Sequence, residues 1–437
     1  MSMERIRRLD AGTLLRGVMC AITGAFLIGA LCAPDLSEIF AGLARICTLP
    51  AQLTKDYFAP QLGSVSGAML NAALVGAVCC ALMFLPGAKV NGGTVLGYFL
   101  TVGFATFGIN ILNILPLMLG VAVYARIVRK SCGEHLNFFM FATALSPIVT
   151  QVMFYYPRMN PGPAPTPLSV ALALIVGVAS GCAMPVLCAH APAFHKGFDL
   201  YNAGPAAGFL CALLFAALYR VPGVDAPPIG ATLGEGHPRF ANVFCAVLFA
   251  LCAAAGFVIN DKGFRGYGRL LRDSGYHADF TAKYAPGLNL MHIGLYGLFI
   301  LLYYDLIGAT FTGATMGAVF CMLGCCCVGA TPRNVWPVML GYALMGLLHR
   351  LGVTAFALNA QAIVVGLCFA SGLAPIAGEY GIPAGIVAGV LHYCLVTGVP
   401  ALHGGFCLYN GGFTAGIVCF ILVPVLERFR GKRGAGA

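Results

Sequence analysis

Apolar runs of about 20 residues follow one another along nearly the whole chain, separated by short polar segments. Such runs are long enough to cross a hydrocarbon core of roughly 30 Å as helices. The pattern predicts an all-α integral membrane protein with about 14 membrane segments, re-entrant segments and half-helices included. The predicted spans are 14–34, 66–87, 93–109, 111–128, 137–156, 168–189, 199–220, 241–259, 287–305, 309–330, 334–351, 360–378, 382–400 and 405–426.

Composition supports a membrane protein and limits its partners. Of the 437 residues, 59% are hydrophobic and 9% charged, which leaves no room for a sizeable soluble domain. The net charge of +10 comes from basic residues in short caps between apolar runs. Such caps mark the cytoplasmic face, so we expect a bacterial inner-membrane protein with both termini cytoplasmic, the N-terminus through Arg5, Arg7 and Arg8. Membrane lipids, rather than nucleic acid, are the expected partners, and a homo-oligomer is an open expectation.

A duplicated motif stands out from the apolar background. Residues 195–208, HKGFDLYNAGPAAG, and residues 403–416, HGGFCLYNGGFTAG, agree at nine of 14 positions. Two further pairs follow the same order: NILPLMLG at 113–120 with NVWPVMLG at 334–341, and ATALSPI at 142–148 with ASGLAPI at 370–376. These matches predict two copies of one unit, residues 1–220 and 221–437.

Each copy contains seven predicted spans, an odd number. The first copy would therefore begin inside the cell and the second outside, so the sequence predicts inverted repeats. Many secondary transporters and channels have this architecture, with the substrate site near the bilayer midplane between the halves.

Six polar residues in the matched segments are candidate substrate ligands: Tyr201, Asn202, Tyr409, Asn410, Asn113 and Asn334. Polar groups inside a bilayer are costly and often mark pathways. Hydroxyl and amide groups on a two-fold-related path would suit a small polar solute. The alternative is structural: Tyr and Asn bond between helices, and Asn113 and Asn334 start helices before Pro116 and Pro337.

Four ionisable residues are candidates for gating or proton coupling: His195, His403, Asp199 and Glu379. Each acid occurs in one copy only, since Cys407 and Gln151 hold the equivalent positions. One half would then titrate while the other would not. The alternatives are an Asp199 pair with Lys196, a Glu379 at the cytoplasmic water line, and interfacial histidines.

Enzyme signatures are missing from the sequence. It contains no zinc-protease H-E-x-x-H, no P-loop and no Cys and His cluster at zinc spacing. We therefore expect no catalytic residue, metal or cofactor, and read the 19 cysteines as small apolar residues. The predicted function is a channel or secondary transporter for a small polar or anionic solute. An embedded enzyme acting on a lipid, with the histidines as acid and base, and a non-transporting scaffold are the alternatives.

The motif H-x-G-F-x-L-Y-N-x-G-x-x-A-G, present twice, resembles a bacterial membrane family known as domain of unknown function 1576. That resemblance implies two copies of one unit over most of the chain and implies no activity. The segments DLYNAGPAAG and CLYNGGFTAG are also similar to glycine-rich segments of urea transporters, which are inverted repeats. The Leu-Pro-x-x-Thr-x-Pro-Phe signature of that family is missing from both halves, so the likeness extends to the fold alone.

Overall fold

A computed structural model describes residues 10–49, 51–53, 55–157, 159–160, 164–230 and 238–434. The first half contains helices α1 to α9: Ala11–Leu31, Ile39–Thr48, Val65–Leu82, Gly92–Phe104, Leu115–Ile127, Leu136–Phe141, Ser146–Tyr155, Pro167–His195 and Ala203–Phe215. The second half contains α10 to α20: Pro238–Ile259, Tyr267–Leu271, Phe280–Lys283, Pro286–Ile307, Gly313–Gly324, Pro332–Arg350, Gln361–Ala370, Ala374–Tyr380, Ile382–Val396, Pro400–His403 and Asn410–Gly434. No strand occurs among these residues.

The predicted all-α membrane architecture is confirmed, and each predicted span overlaps a helix. Nine segments of the described chain are long and apolar enough to cross a membrane: Ala11–Leu31, Val65–Leu82, Cys132–Tyr155, Pro167–His195, Ala203–Arg220, Arg239–Ile259, Pro286–Ile307, Gln361–Tyr380 and Asn410–Phe429. Four apolar segments are shorter: Gly92–Phe104, Leu115–Ile127, Gly313–Cys327 and Ile382–Val396. A helix of 13 residues, such as α4, is only about 20 Å long at 1.5 Å per residue. These four therefore fall short of full spans.

The short helices α4 and α14 begin at equivalent side-chain caps. Asn91 and Thr94 form a capping box at the start of α4. Thr312 and Thr315, 221 residues later, form the same box at the start of α14. Each box satisfies backbone N–H groups that the first helical turn leaves without partners. The sequence thus encodes both short helices locally, in the same way in each half.

Contacts between helix ends show which ends lie together at each of the two opposite faces of the molecule. At the first face, the Arg16 guanidinium donates to the carbonyl of Ala88, and the Tyr276 hydroxyl donates to the carbonyl of Lys196. At the second face, Leu53 N–H donates to the carbonyl of Gly405. The 29-residue α8 connects the faces, since Ser169 at its start bonds the Met153 carbonyl near the second face and its last residue precedes Lys196. The basic N-terminal residues Arg5, Arg7 and Arg8 lie outside the described residues.

The two halves cross each other at closely packed glycines. A Cβ on Gly103 in α4 would lie 2.5 Å from the carbonyl oxygen of Gly317 in α14, and one on Gly317 would lie 2.2 Å from the carbonyl oxygen of Gly103. Farther along, a Cβ on Gly204 in α9 would lie 2.3 Å from the carbonyl carbon of Gly412 in α20. Only glycine permits backbones to approach this closely. Both crossings pair a helix of one half with its counterpart in the other.

Candidate functional site

Two membrane segments are broken where the duplicated motif of the opposite half meets them. The helix pair α6 and α7 is interrupted by a 3-10 turn at Ala142–Leu145, and α16 and α17 by one at Ser371–Leu373. A proline at the start of each following helix, Pro147 or Pro375, removes a backbone donor there. Discontinuous helices of this kind form the substrate sites of many secondary transporters.

Backbone hydrogen bonds connect these breaks to the motif. The N–H of Leu200, in the first motif, donates to the carbonyl of Gly372 at 3.0 Å. The N–H of Leu408, in the second, donates to the carbonyl of Ala144 at 2.9 Å. Each motif therefore completes the broken helix of the other half, and the two crossings are equivalent.

Each motif is closed by a clamp between its histidine and its asparagine. His195 Nδ1 accepts from the N–H of Gly197 at 3.2 Å, and its Nε2 donates to Asn202 Oδ1 at 2.9 Å. His403 Nε2 donates to Asn410 Oδ1 at 3.0 Å, while its Nδ1 accepts from the N–H of Cys407 at 3.3 Å. An Nδ1 that accepts and an Nε2 that donates belong to the neutral imidazole. Both histidines therefore close the turn that leads into the next helix.

The asparagines of the two clamps line cavities at opposite faces. A first cavity of about 740 Å³ is lined by Asn202, His195 and Asp199 together with Lys89 and Lys130 near the first face. A second cavity of about 320 Å³ opens near the second face. Its lining includes Asn410, Leu53, Phe369, Leu408 and Pro400. Among the residues that the structure describes, charged side chains line the first cavity and none lines the second.

Four aromatic rings form a row that runs from Tyr201 of the first motif to Tyr409 of the second. Tyr201 packs on Phe369 with ring centroids 4.8 Å apart, Phe369 stacks on Phe104 at 5.7 Å, and Phe104 stacks on Tyr409 at 5.6 Å. Tyr201 and Tyr409 are each only 1% exposed. We call this row of rings the aromatic barrier. Its two ends adjoin the cavity linings, since Tyr201 lies between Leu200 and Asn202 of the first cavity and Tyr409 lies between Leu408 and Asn410 of the second.

The two tyrosines of the barrier differ in their polar contacts. The Tyr201 hydroxyl lies 3.2 Å from the carbonyl of Cys368, 3.3 Å from that of Cys321 and 3.3 Å from Ser371 Oγ, all in the other half. The Tyr409 hydroxyl has no hydrogen-bond partner within the described chain. A buried hydroxyl without a partner costs free energy, so the barrier is polar but incompletely satisfied.

Asp199 and Glu379 occupy different surroundings. Asp199 is 2% exposed, and its Oδ1 accepts from the N–H of Tyr201 at 2.9 Å. Lys196, its suggested partner, instead forms an ion pair with Glu427. Glu379 is half-buried at the end of α17, beside Tyr380, whose ring packs on Phe198 near the first face. Asp199 thus lies at a cavity and Glu379 at a helix end.

The remaining candidates, Asn113 and Asn334, close equivalent turns away from both cavity linings. Asn113 Oδ1 accepts from the N–H of Asn110 at 2.8 Å and its Nδ2 donates to the carbonyl of Gly108. Asn334 Oδ1 accepts from the N–H of Thr331 at 2.8 Å and its Nδ2 donates to the carbonyl of Gly329. The structure therefore brings the other substrate candidates together at the motif crossings and holds this pair in helix starts.

Sequence reasoning missed a reciprocal pair of carboxylates that joins the halves. Asp56 Oδ1 accepts from the N–H of Gly313 at 2.7 Å, at the start of α14. Asp279 Oδ1 accepts from the N–H of Gly92 at 3.3 Å, at the start of α4. Negative charge at a helix N-terminus is favourable. The sequence carries one signal for this pair: an Asp followed by an aromatic residue occurs at positions 56 and 279, which are 223 residues apart. No sequence signal marks the barrier rings Phe104 and Phe369, because apolar aromatic residues are common in membrane spans.

No group of three or more His, Cys, Asp or Glu side chains with metal-site geometry occurs within the described ranges. Residues 36–220 and 259–428 match the model of DUF1576, described as a protein of unknown function. Neither a curated protein nor a solved structure matches the chain, so the likeness to urea transporters stays a prediction. The matched regions cover most of the sequence in two separate stretches, and the chain belongs to the DUF1576 family.

Proposed function

We propose that this protein is a secondary transporter that moves a small polar or anionic solute across the bacterial inner membrane. The observation that carries the proposal is the pair of cavities at opposite faces, each bounded by one copy of the motif. The solute would bind between the halves, in the cavities that Asn202 and Asn410 line. To contact the solute, their amides would have to exchange a bond that they now make to the carbonyl of Cys188 or Val396. Lys89 and Lys130, which are exposed residues of the first cavity lining, would attract an anion.

We further propose that the halves are inverted repeats. Equivalent contacts recur in both: Asn71 donates to the carbonyl of Ile109, and His292, 221 residues later, donates to the carbonyl of Ala330. The equivalent cavities, however, open near opposite faces. That combination is what a two-fold axis in the membrane plane produces.

The aromatic barrier favours a transporter over a permanently open channel. We infer that the row of Tyr201, Phe369, Phe104 and Tyr409, whose ends adjoin the two cavity linings, blocks a solute in either cavity. Transport then needs the halves to move and open the barrier to one face at a time. Beside the barrier, Gly204 and Gly412 cross without side chains, so no side chain would obstruct a relative movement of the halves there. As for the enzyme alternative, the histidines it needs as acid and base already bond at both ring nitrogens.

Thiol labelling tests the two-cavity arrangement. The five native cysteines that are not buried, Cys20, Cys32, Cys132, Cys182 and Cys394, are first replaced by Ser, leaving the 14 buried ones in place. Ala278→Cys then probes the first cavity and Ala401→Cys the second, and Ala415→Cys, in the packed core, is the unreactive control. A membrane-impermeant thiol reagent should label the two sites from opposite sides of the membrane. Labelling of both sites from one side would contradict the inverted arrangement.

Solute flux tests transport itself. Purified protein in liposomes is challenged with a panel of small neutral and anionic solutes, and flux is followed by light scattering. We expect at least one solute to pass, and thiol labelling at Ala278→Cys or Ala401→Cys to stop it. If no solute in the panel crosses faster than through empty liposomes, the scaffold hypothesis is favoured instead.

A further inference from the structure

The carboxylate of Asp199 is an unusual feature of the first cavity. Its side chain is 2% exposed, and although Oδ1 accepts from the N–H of Tyr201, Oδ2 has no hydrogen-bond partner in the described structure. Nevertheless, Asp199 contributes to the cavity lining. An ionised carboxylate in such a place is strongly disfavoured unless a proton, a cation or water reaches it.

The equivalent turn of the second half needs no acid. Cys407 occupies the matching position, is fully buried, and its N–H bonds His403 Nδ1 at 3.3 Å. The N–H of Asp199 bonds His195 Nδ1 in the same way at 3.4 Å. The same turn therefore forms with a thiol in place of a carboxylate. Folding alone does not account for Asp199, and the ion pair of Lys196 with Glu427 removes the nearest obvious salt-bridge partner.

Asp199 is also directly connected to the contact between the halves. Its Oδ1 holds the N–H of Tyr201, the first ring of the aromatic barrier. The preceding peptide, at Leu200, bonds the carbonyl of Gly372 in the broken helix. A Cβ on Gly372 would lie 2.9 Å from Asp199 Oδ1, so the carboxylate packs directly on that break. A change in its charge would therefore act on both sides of the crossing.

We propose that Asp199 is the proton-binding residue that couples solute movement to the proton gradient. The inference rests on the proposed transport function. Water in the first cavity would deliver the proton to Oδ2. The neutral acid can stay buried with the barrier closed, whereas the carboxylate favours a hydrated, open first cavity. Because Cys407 cannot take the same role at neutral pH, only one half of the cycle would be proton-sensitive.

Other titratable groups lie near Asp199, and an experiment must distinguish their titration from that of Asp199. His195 lies on α8, and His277 packs against Gly197. Cys325, after α14, and Cys419, on α20, are near enough to interact with its charge. Lys89, Lys130 and Glu134 belong to the lining of the same cavity.

Infrared difference spectroscopy of the reconstituted full chain tests proton binding without any solute. Raising the pH from about 6, where exposed carboxyl groups are already ionised, should remove the carbonyl stretch of a protonated carboxylic acid, and this band should be missing in Asp199→Asn. Asp305→Asn, which changes an exposed carboxylate, is the matched control and should keep the band, as should His277→Gln. A titrating band that persists in Asp199→Asn overturns the inference, as does the absence of any such band in the native protein.

Flux measurements separate failure of the inference from failure of the transport proposal. An imposed pH gradient should accelerate flux of a transported solute about tenfold in the native protein, a typical size for coupling between two sites. In Asp199→Asn and Asp199→Cys that acceleration should disappear while downhill flux remains. Asp199→Cys reproduces the residue of the second half, so its turn should fold. Undiminished acceleration in both variants overturns the inference but leaves transport intact; if no solute crosses with the native protein, transport and coupling fail together.

Discussion

The substitutions Tyr201→Phe and Tyr409→Phe remove the same hydroxyl from two equivalent positions, and we expect opposite effects on stability. Tyr201 loses a hydrogen bond to carbonyls of the other half, the nearest being Cys368 at 3.2 Å. Tyr409 loses a buried hydroxyl that bonds nothing in the described structure. Both side chains are 1% exposed, so the change in apolar burial is the same for each. The comparison therefore isolates the polar contact.

Magnitudes follow from the two environments. A typical hydrogen bond contributes about 0.5–1.5 kcal/mol net, so Tyr201→Phe should lower the free energy of unfolding by about 1 kcal/mol. Burial of a hydroxyl without a partner costs about 1–3 kcal/mol, so Tyr409→Phe should raise it by a similar amount. The two variants should differ by about 2–4 kcal/mol.

Unfolding in detergent can be followed with a thiol-reactive dye, because 14 of the 19 cysteines are buried and react only when the helices separate. The unfolding midpoint should fall in Tyr201→Phe and rise in Tyr409→Phe relative to the native protein. The double variant should lie between them. A lower midpoint for Tyr409→Phe would refute the reasoning, because it would mean that this hydroxyl has a favourable partner, such as water, at the barrier.

Three further predictions concern contacts within and between the halves. Asp56→Ala should destabilise the protein by about 2 kcal/mol and more than Asp279→Ala, because Asp56 is fully buried and Asp279 is not, and because the bond of Asp56 to the α14 backbone, at 2.7 Å, is shorter than that of Asp279 to α4, at 3.3 Å. Thermal unfolding of both variants measures this, and equal losses would contradict it. Gly204→Ala should cost about 1–3 kcal/mol and slow solute flux, since its Cβ would lie 2.3 Å from the backbone of α20; unchanged unfolding and flux would contradict the close crossing. In the loop between α11 and α12, burial alone would raise the pKa of Asp273, but hydrogen bonds from Lys283, Tyr284 and a backbone N–H lower it on balance. A lowered folded pKa stabilises above the unfolded value, near 3.9, and that stability disappears as pH falls through the folded pKa. Lys283→Met should reduce this contribution, so its stability relative to the native protein should be lower at pH 7 than at pH 2; an equal difference at both pH values would contradict it.

Much of the architecture could be predicted from the sequence because hydropathy and repeat matching are local properties. The apolar runs predicted the helices, and the shared motif with its two accompanying pairs predicted two copies of one unit, in agreement with the two stretches that match the family. The lengths of α4, α5, α14 and α18 were overestimated. A run of apolar residues does not reveal where a cap or a turn ends the helix, and these short helices continue into apolar turns.

The tertiary structure decided which polar groups meet. The sequence placed His195, Asn202, His403 and Asn410 in the duplicated motif, but it did not indicate that each histidine bonds the asparagine of its own motif. Likewise, the row of Tyr201, Phe369, Phe104 and Tyr409 joins rings from four separate helices or turns. Such contacts depend on how helices distant in the chain pack together, and burial then obliges each polar group to find a partner from whatever lies beside it. Hydropathy determined which segments enter the membrane; packing between the halves determined where the cavities, the barrier and the unpartnered oxygen of Asp199 lie.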